Sequence, residues 1–485
     1  MRPVLAVLLA LILAAACGGD AVSAAPPLPP MHPTPGASGA GDEYYPDDGN
    51  GGYDALDYHV DVSYDPPSGH LDGDTTITAR ATKDLSSFDF DLRGLDVRQV
   101  DVEGKPAKFS RQKEFELVIT PAAPIRAGTT FRTRVRYGGD PSKTKHGGGS
   151  EPGWQRSGDG GAYMVGEPHS AAFWYPVNET PRDKATFSLT AHVPVGWTVL
   201  SNGREQGTTS AGGKTTTSWV EPNPIASYVS TIAIGKFSVD RSKLPDGIPV
   251  VSAYAPGAED ERALGDRLPE VIAFLSSKFG PYPQSAAGGI YLNENLHFSL
   301  ETQTRPTYTK GVDILTLVHE TAHQWFGDSV SLKDWSDICL NECLASYAQW
   351  LWAEREGENL DDRFQAAIGI FENSTDFWSR KLTYMGAGHE FEGVYDKGIL
   401  AIHALRRMMG DTDFFQLLRD WAARNRHGNG TWLDFEALAR QISGKNLYNL
   451  FDEWFHRRDL PSDADRCLTL LVHPDLPVME WKNSC

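Results

Sequence analysis

The chain has 485 residues, of which 40% are hydrophobic and 11% aromatic, and a formal charge of -19 at neutral pH. That length exceeds what one hydrophobic core usually serves, so two or three domains are expected. The acidic balance argues against a nucleic-acid partner, because no basic stripe is present to displace phosphate counterions; it favours solubility and draws cationic substrates toward a cleft.

The chain opens on MRPVLAVLLALILAAAC, with one cation (Arg2), an apolar run and small residues leading to Cys17. The run is too short for a stable membrane span but fits a cleaved export signal. It resembles a bacterial lipoprotein signal over residues 1–17, which implies lipidation at Cys17; cleavage around Ala24–Ala25 is the alternative. The expected location is the outer face of the cell membrane, or outside the cell, with membrane contact only through that anchor. Residues 18–52, rich in Pro, Gly and Ala, read as a disordered tether with almost nothing to bury.

Export permits disulfides. Cys467 and Cys485 could close the C-terminal tail, 461–485. Cys339 and Cys343, four apart on one helical face, are expected to hold their β-carbons too far apart for an unstrained bond. The pairing is not decided by sequence.

From Tyr53 the pattern has period two. Tyr58, Val60, Val62 and Tyr64 alternate with polar partners, and further short runs separated by Gly, Pro and Asp continue to about residue 245. This predicts an antiparallel β saddle or sandwich over 53–245. The period then lengthens: Leu264, Leu268, Val271, Ile272 and Leu275 share one helical face. Helices are predicted around 312–326, 338–356, 361–372, 396–409, 414–425, 433–442 and 447–456, with a strand-like interruption at 288–304. A mainly helical domain over 250–460 therefore follows the β domain, an α+β arrangement of separate parts.

The stretch HETAHQWFGDSVSLKDWSDICLNE, from His319 to Glu342, carries the chemistry. His319 and His323 are spaced i, i+4, so on a helix their imidazoles share a face and one cation. Two imidazoles and a carboxylate suit zinc, with the fourth position open to water. Glu320 would point at that water as general base. Glu342 opens the next helical run, and an antiparallel return would bring it over the histidines as third ligand.

These residues resemble the zinc aminopeptidases of the aminopeptidase N and leukotriene hydrolase type, whose pattern is H-E-x-x-H, eighteen residues, then E. The flanking AHQWFGD, DW-x-D and LNE agree, and the similarity runs from about 53 to 460. The resemblance implies a saddle-like β domain before a thermolysin-like catalytic domain, one Zn2+ held by His319, His323 and Glu342, and Glu320 as base. Within VYDKG it implies that Tyr395 is the oxyanion donor. It places Glu301, in FSLET, and Glu167, in VGEPHSAAFWYP, on the substrate ammonium. Among the departures from the pattern, Phe298 replaces a glycine, Thr302 an asparagine, Val165 a glutamine and Cys343 a glycine. The long C-terminal helical domain of larger relatives is not expected, and a comparatively open cleft follows.

The function implied is hydrolysis of peptides from their N-termini. Two alternatives stay open: an endopeptidase tolerant of blocked N-termini, and a surface-tethered protein that keeps zinc without catalysis. The oligomeric state is not specified; a monomer is favoured.

Overall fold

The computed structural model describes residues 29–144 and 153–467. The signal, Cys17, the start of the tether and the tail from 468 on lie outside the described residues. Cys467 is disulfide-bonded; the partner expected for it, Cys485, lies outside them as well.

Alternation builds the first region. Along Tyr53–Asp65 the residues Tyr58, Val60, Val62 and Tyr64 are buried while their neighbours are more exposed. This strand lies in an eight-stranded sheet in the order Arg204–Ala211, Lys214–Ile225, Ala185–Pro194, Tyr53–Asp65, His70–Ala81, Thr130–Gly139, Asp96–Val102 and Lys105–Pro106. Neighbours are antiparallel except where Ala185–Pro194 runs parallel to Tyr53–Asp65, with Leu189 opposite Val60. The sheet is thus mixed rather than purely antiparallel. A four-stranded sheet beside it contains Ala162–Val165, which ends two residues before Glu167.

The second region begins with a sheet of Ser238–Lys243, Pro249–Tyr254, Ala287–Tyr291 and Thr307–Tyr308. Its first hairpin straddles the expected boundary at 245–250, because Ser238–Lys243 pairs with Pro249–Tyr254 over its whole length. The expected strand at 288–304 is confined to Ala287–Tyr291, and the chain from there to Thr307 is largely a loop that carries Phe298 and Glu301. The main helices follow: α1 (Leu268–Phe279), α2 (Ile314–Ala322), α3 (Cys339–Arg355), α4 (Leu360–Phe371), α5 (Lys397–Met409), α6 (Asp411–Arg424) and α7 (Trp432–Ser443). The α2 helix starts where Asp313 accepts a hydrogen bond from Thr316 N at 2.8 Å, a side-chain N-cap.

Two further expectations need correction. Cys339 and Cys343 are bonded, with a Cα–Cα separation of 4.7 Å. Cys339 is the first residue of α3 and follows Ile338, one residue past the turn Trp335–Asp337. The two Cα atoms sit closer than the regular i, i+4 spacing of about 6 Å, within the range a disulfide bridges. Cys343 points toward α5, where a Cβ on Gly398 would lie 2.6 Å from its sulfur.

The tether is the second correction. From Pro33 on, the chain is part of one compact unit, and residues 33–52 form a strap across both regions. Thr34–Pro35 pairs with Leu85–Asp91. Asp42 accepts from Tyr44 N and from Trp335 N, each at 2.8 Å. Arg182 donates to Ala40 O at 2.7 Å and pairs with Asp334. Gly386 N donates to the Tyr44 hydroxyl at 2.9 Å. The segment has little to bury, but its polar groups have fixed partners, which is enough to order it.

Candidate active site

The α2 and α3 helices cross with their N- and C-terminal ends opposed, tied where Gln349 Nε2 donates to Leu315 O at 3.1 Å. Leu317, Val318 and Ala322 bury the inner face of α2, and this leaves His319 and His323 on the face toward the first turn of α3. His323 follows the last residue of α2 but keeps helical backbone angles, so the i, i+4 relation survives. Its Nδ1 donates to Phe326 O at 3.0 Å, which leaves Nε2 as the free lone pair. Gly327 sits here with φ +125°, and a Cβ would come within 3.2 Å of that Nδ1.

The ligand atoms converge. His319 Nε2 and His323 Nε2 are 3.0 Å apart, and Glu342 Oε2 lies 3.3 and 3.6 Å from them. A tetrahedral zinc with bonds near 2.0–2.1 Å spaces its ligands about 3.3–3.4 Å apart. The triangle fits one such ion. Burial raises the Glu342 carboxyl, but the two imidazoles outweigh it and hold the group well below the usual carboxylate range.

Around this triangle the charge is lopsided. Glu301, Glu320 and His323 place ligand-type atoms within 4.8 Å of one another, and so do Glu167, Glu301 and Glu342. Burial pushes the carboxyls of Glu320 and Glu167 well above their ordinary values, and neighbouring carboxylates add to it; burial also raises Glu301. Oε1 of Glu167 and of Glu301 are both buried without a hydrogen-bond partner. Unpaired buried carboxylates are costly, and a cavity that gathers Glu167, Glu301 and Glu320 beside the paired Glu342 calls for more than one positive group. Tyr395 comes in from just before α5, its ring 6.1 Å from that of His319. Burial and the surrounding carboxylates raise its phenol well above 10.0, so it stays protonated.

These residues line a cavity of about 410 Å³, with His297, Phe298, Ser299, Leu300 and Phe391 completing the wall. Phe298 is 36% exposed and forms part of that wall. The structure therefore brings together every predicted site residue except Cys17, which lies outside the described residues. It also adds groups that sequence reasoning missed. Gln324 Nε2 donates to Glu301 O and Glu320 O, at 3.3 and 3.4 Å, while its Oε1 accepts from Thr304 N at 2.8 Å. Asn341 donates to the Tyr228 hydroxyl at 3.2 Å under the cavity. His169, two residues past Glu167, meets Asp48 of the strap, and Tyr45 stands edge-on to both His169 and Trp335, with ring centroids 5.3 and 6.1 Å away. Gln324 and Asn341 lie inside the quoted motifs, but nothing in the sequence pointed to the strap.

A β region leading into helices that present H-E-x-x-H opposite a downstream glutamate is the architecture of a metallopeptidase. Residues 54–229 match the peptidase M1 N-terminal domain, and residues 288–454 match the peptidase family M1 domain. The chain belongs to peptidase family M1. It is 26% identical over 337 residues to aminopeptidase N of Streptomyces lividans, covering 60% of this chain and 38% of that protein. With aminopeptidase N of Lactococcus lactis subsp. cremoris strain MG1363 it shares 24% over 441 residues, 83% of this chain and 50% of that one. The chain thus spans half or less of the length of these relatives. An M1 zinc metallopeptidase from Deinococcus radiodurans superposes with a TM-score of 0.79 at 28% identity, covering 87% of this chain and 98% of that chain. A mutant of it bound to a Tyr-Ser-Ala substrate superposes with the same score and identity, covering 87% and 99%.

Proposed function

We propose that this protein is a zinc aminopeptidase that releases N-terminal residues from peptides. The observation that carries the reading is the pair of buried, unpartnered oxygens on Glu167 and Glu301 beside the His319–His323–Glu342 triangle. They are acceptors suited to one cationic group, and a peptide's α-ammonium is that group. His319, His323 and Glu342 would hold the zinc, which would supply Lewis acidity and lower the pKa of a water. Glu320 takes a proton from the attacking water and returns it to the leaving amine, a role suited to a carboxylate raised by burial. Tyr395 donates its phenolic proton in a hydrogen bond to the developing oxyanion. Glu167 and Glu301 set how far the chain enters, so that the first peptide bond is the one presented.

The relatives named aminopeptidase N and the neighbour bound to Tyr-Ser-Ala support this reading. The direct test is digestion of one peptide set, supplied with free and with acetylated N-termini and followed by mass spectrometry. Stepwise loss of first residues from the free set alone is expected. Internal cuts in both sets would overturn the ammonium assignment and make the protein an endopeptidase.

For the N-terminus we propose export and lipidation at Cys17, on the strength of the apolar run and small residues before it. Labelling with a fatty-acid analogue checks this. Wild type should carry label that Cys17→Ala loses, and an unlabelled wild type would rule the anchor out.

A further inference from the structure

The three ligand residues are not held alike. His319 lies within α2, and His323 is oriented by the bond from its Nδ1 to Phe326 O at 3.0 Å. Glu342 is only the fourth residue of α3, and its Oε2, which faces both imidazoles, has no hydrogen-bond partner. Where that carboxylate stands is therefore set by the backbone of the first turn. A first turn is prone to fray, because its N–H groups have no intrahelical acceptors. The usual remedy is a capping side chain. Asp313 serves α2, Asn359 serves α4 and Thr431 serves α7, each accepting from a backbone N–H in the first turn of its helix. At α3 the capping position is Ile338, whose side chain offers no acceptor.

What closes that turn is covalent. Glu342 N donates to Ile338 O at 3.0 Å, and Asn341 N shares the same carbonyl at 2.9 Å. The Cys339–Cys343 bond spans the same stretch, with Glu342 inside the ring it closes. Both cysteines are fully buried. The ring is anchored as well as closed. The Cys343 sulfur lies against Gly398 of α5, so near that a Cβ there would approach within 2.6 Å. Asn341, in the same turn, donates to the Tyr228 hydroxyl at 3.2 Å. The turn is thus tied to α5 and, through Tyr228, to the first region.

We infer that the Cys339–Cys343 disulfide is a positioning element of the metal site: it stands in for the missing cap, fixes the first turn of α3 against α5, and so holds the Glu342 carboxylate where the histidines need it. The inference deepens the proposed function and rests on its assignment of Glu342 as a zinc ligand. Neither cysteine lines the cavity, so the bond acts through Glu342 alone. Without it, zinc uptake would itself have to order the turn, and that ordering cost would subtract from the affinity.

The test is zinc affinity, read by competition with a chromogenic chelator on metal-free wild type, Cys339→Ala, Cys343→Ser and Cys467→Ser. The first two break the bond from either end, and their agreement excludes ligation by the thiol that remains. Cys467→Ser removes a disulfide elsewhere, and melting of each metal-free chain reports general loss of stability. Both first-turn variants are expected to bind zinc about tenfold or more weakly than wild type, the loss typical of removing a group that orients a ligand. Cys467→Ser should stay within about twofold of wild type whatever its melting temperature, as a distant site does. Either first-turn variant binding within about twofold of wild type, below what an orienting group contributes, would overturn the inference. So would a Cys467→Ser chain that loses as much zinc affinity as they do, since the effect would then be one of overall stability. First-turn variants that do not fold would overturn it too, because the bond would then serve the fold at large. Failure of the metal assignment looks different: wild type itself would take up no zinc.

Discussion

Residues 319–342 and residues 33–52 both bear on the site, yet by opposite means. The first stretch supplies chemistry directly: three ligand atoms within 3.6 Å of one another and a carboxylate beside them. The second contributes no atom to the cavity. It touches instead what carries the functional groups, through Asp42 on Trp335 ahead of Glu342, Asp48 on His169 after Glu167, and Tyr44 on Gly386 ahead of Tyr395. The three ligands and Glu320 sit on two helices and obey helical spacing, whereas Glu167, Glu301 and Tyr395 reach the same cavity from distant parts of the chain. Restraint can be applied from any direction by single polar contacts.

The comparison is broken or sharpened by substitutions of decreasing effect. Glu320→Gln should lower kcat by about 10³-fold or more, the range expected for removing a general base, with metal content unchanged. Tyr395→Phe should cost about 10²–10³ in kcat with little change in KM, as for an oxyanion donor; an unchanged kcat would remove Tyr395 from the mechanism. Strap substitutions should act more weakly and elsewhere. Tyr45→Ala leaves His169 and Trp335 less confined and is expected to lower kcat/KM for free peptides about tenfold through misplacement of the carboxylates. Tyr45→Phe, which keeps the ring contacts, should stay within about twofold. If both behave like wild type, the strap is packing and nothing more.

The smallest effect on catalysis is expected at Glu221, which lies on the seam between the two regions. It accepts from Asn223 N at 2.8 Å and from Ser285 at 3.0 Å, and burial raises its carboxyl from 4.5 to about 7. A folded-state value above the unfolded one stabilises fully below about pH 4.5 and is lost as pH rises through about 7. Glu221→Gln should therefore gain on wild type between pH 5 and pH 8, by a few kcal/mol at most if one unit is worth about 1.36 kcal/mol. Urea midpoints across that range check it. A gap that narrows toward high pH would contradict the assignment.

The order of β region and helices was legible because burial follows period. Tyr58 to Tyr64 alternate in a strand whose two faces differ, and the seven main helices fall within a few residues of where apolar spacing puts them. His319, Glu320, His323 and Glu342 were legible because one cation demands one face. What was not legible shares a cause. The Cys339–Cys343 bond depends on how the chain enters α3 at a single residue, and the strap depends on Asp42, Tyr45 and Asp48 meeting partners far away in sequence. Neither leaves a periodic trace. The parallel join between Ala185–Pro194 and Tyr53–Asp65 is likewise a matter of topology, invisible to alternation alone.

The measurement that tests the account most directly is zinc titration of metal-free wild type, Glu320→Gln and His323→Asn, each followed by turnover of an aminoacyl nitroanilide. The account predicts that wild type and Glu320→Gln take up one zinc per chain with similar affinity, while only wild type turns over; His323→Asn should lose both binding and activity. Glu320→Gln turning over as fast as wild type, or His323→Asn holding zinc as tightly, would contradict it.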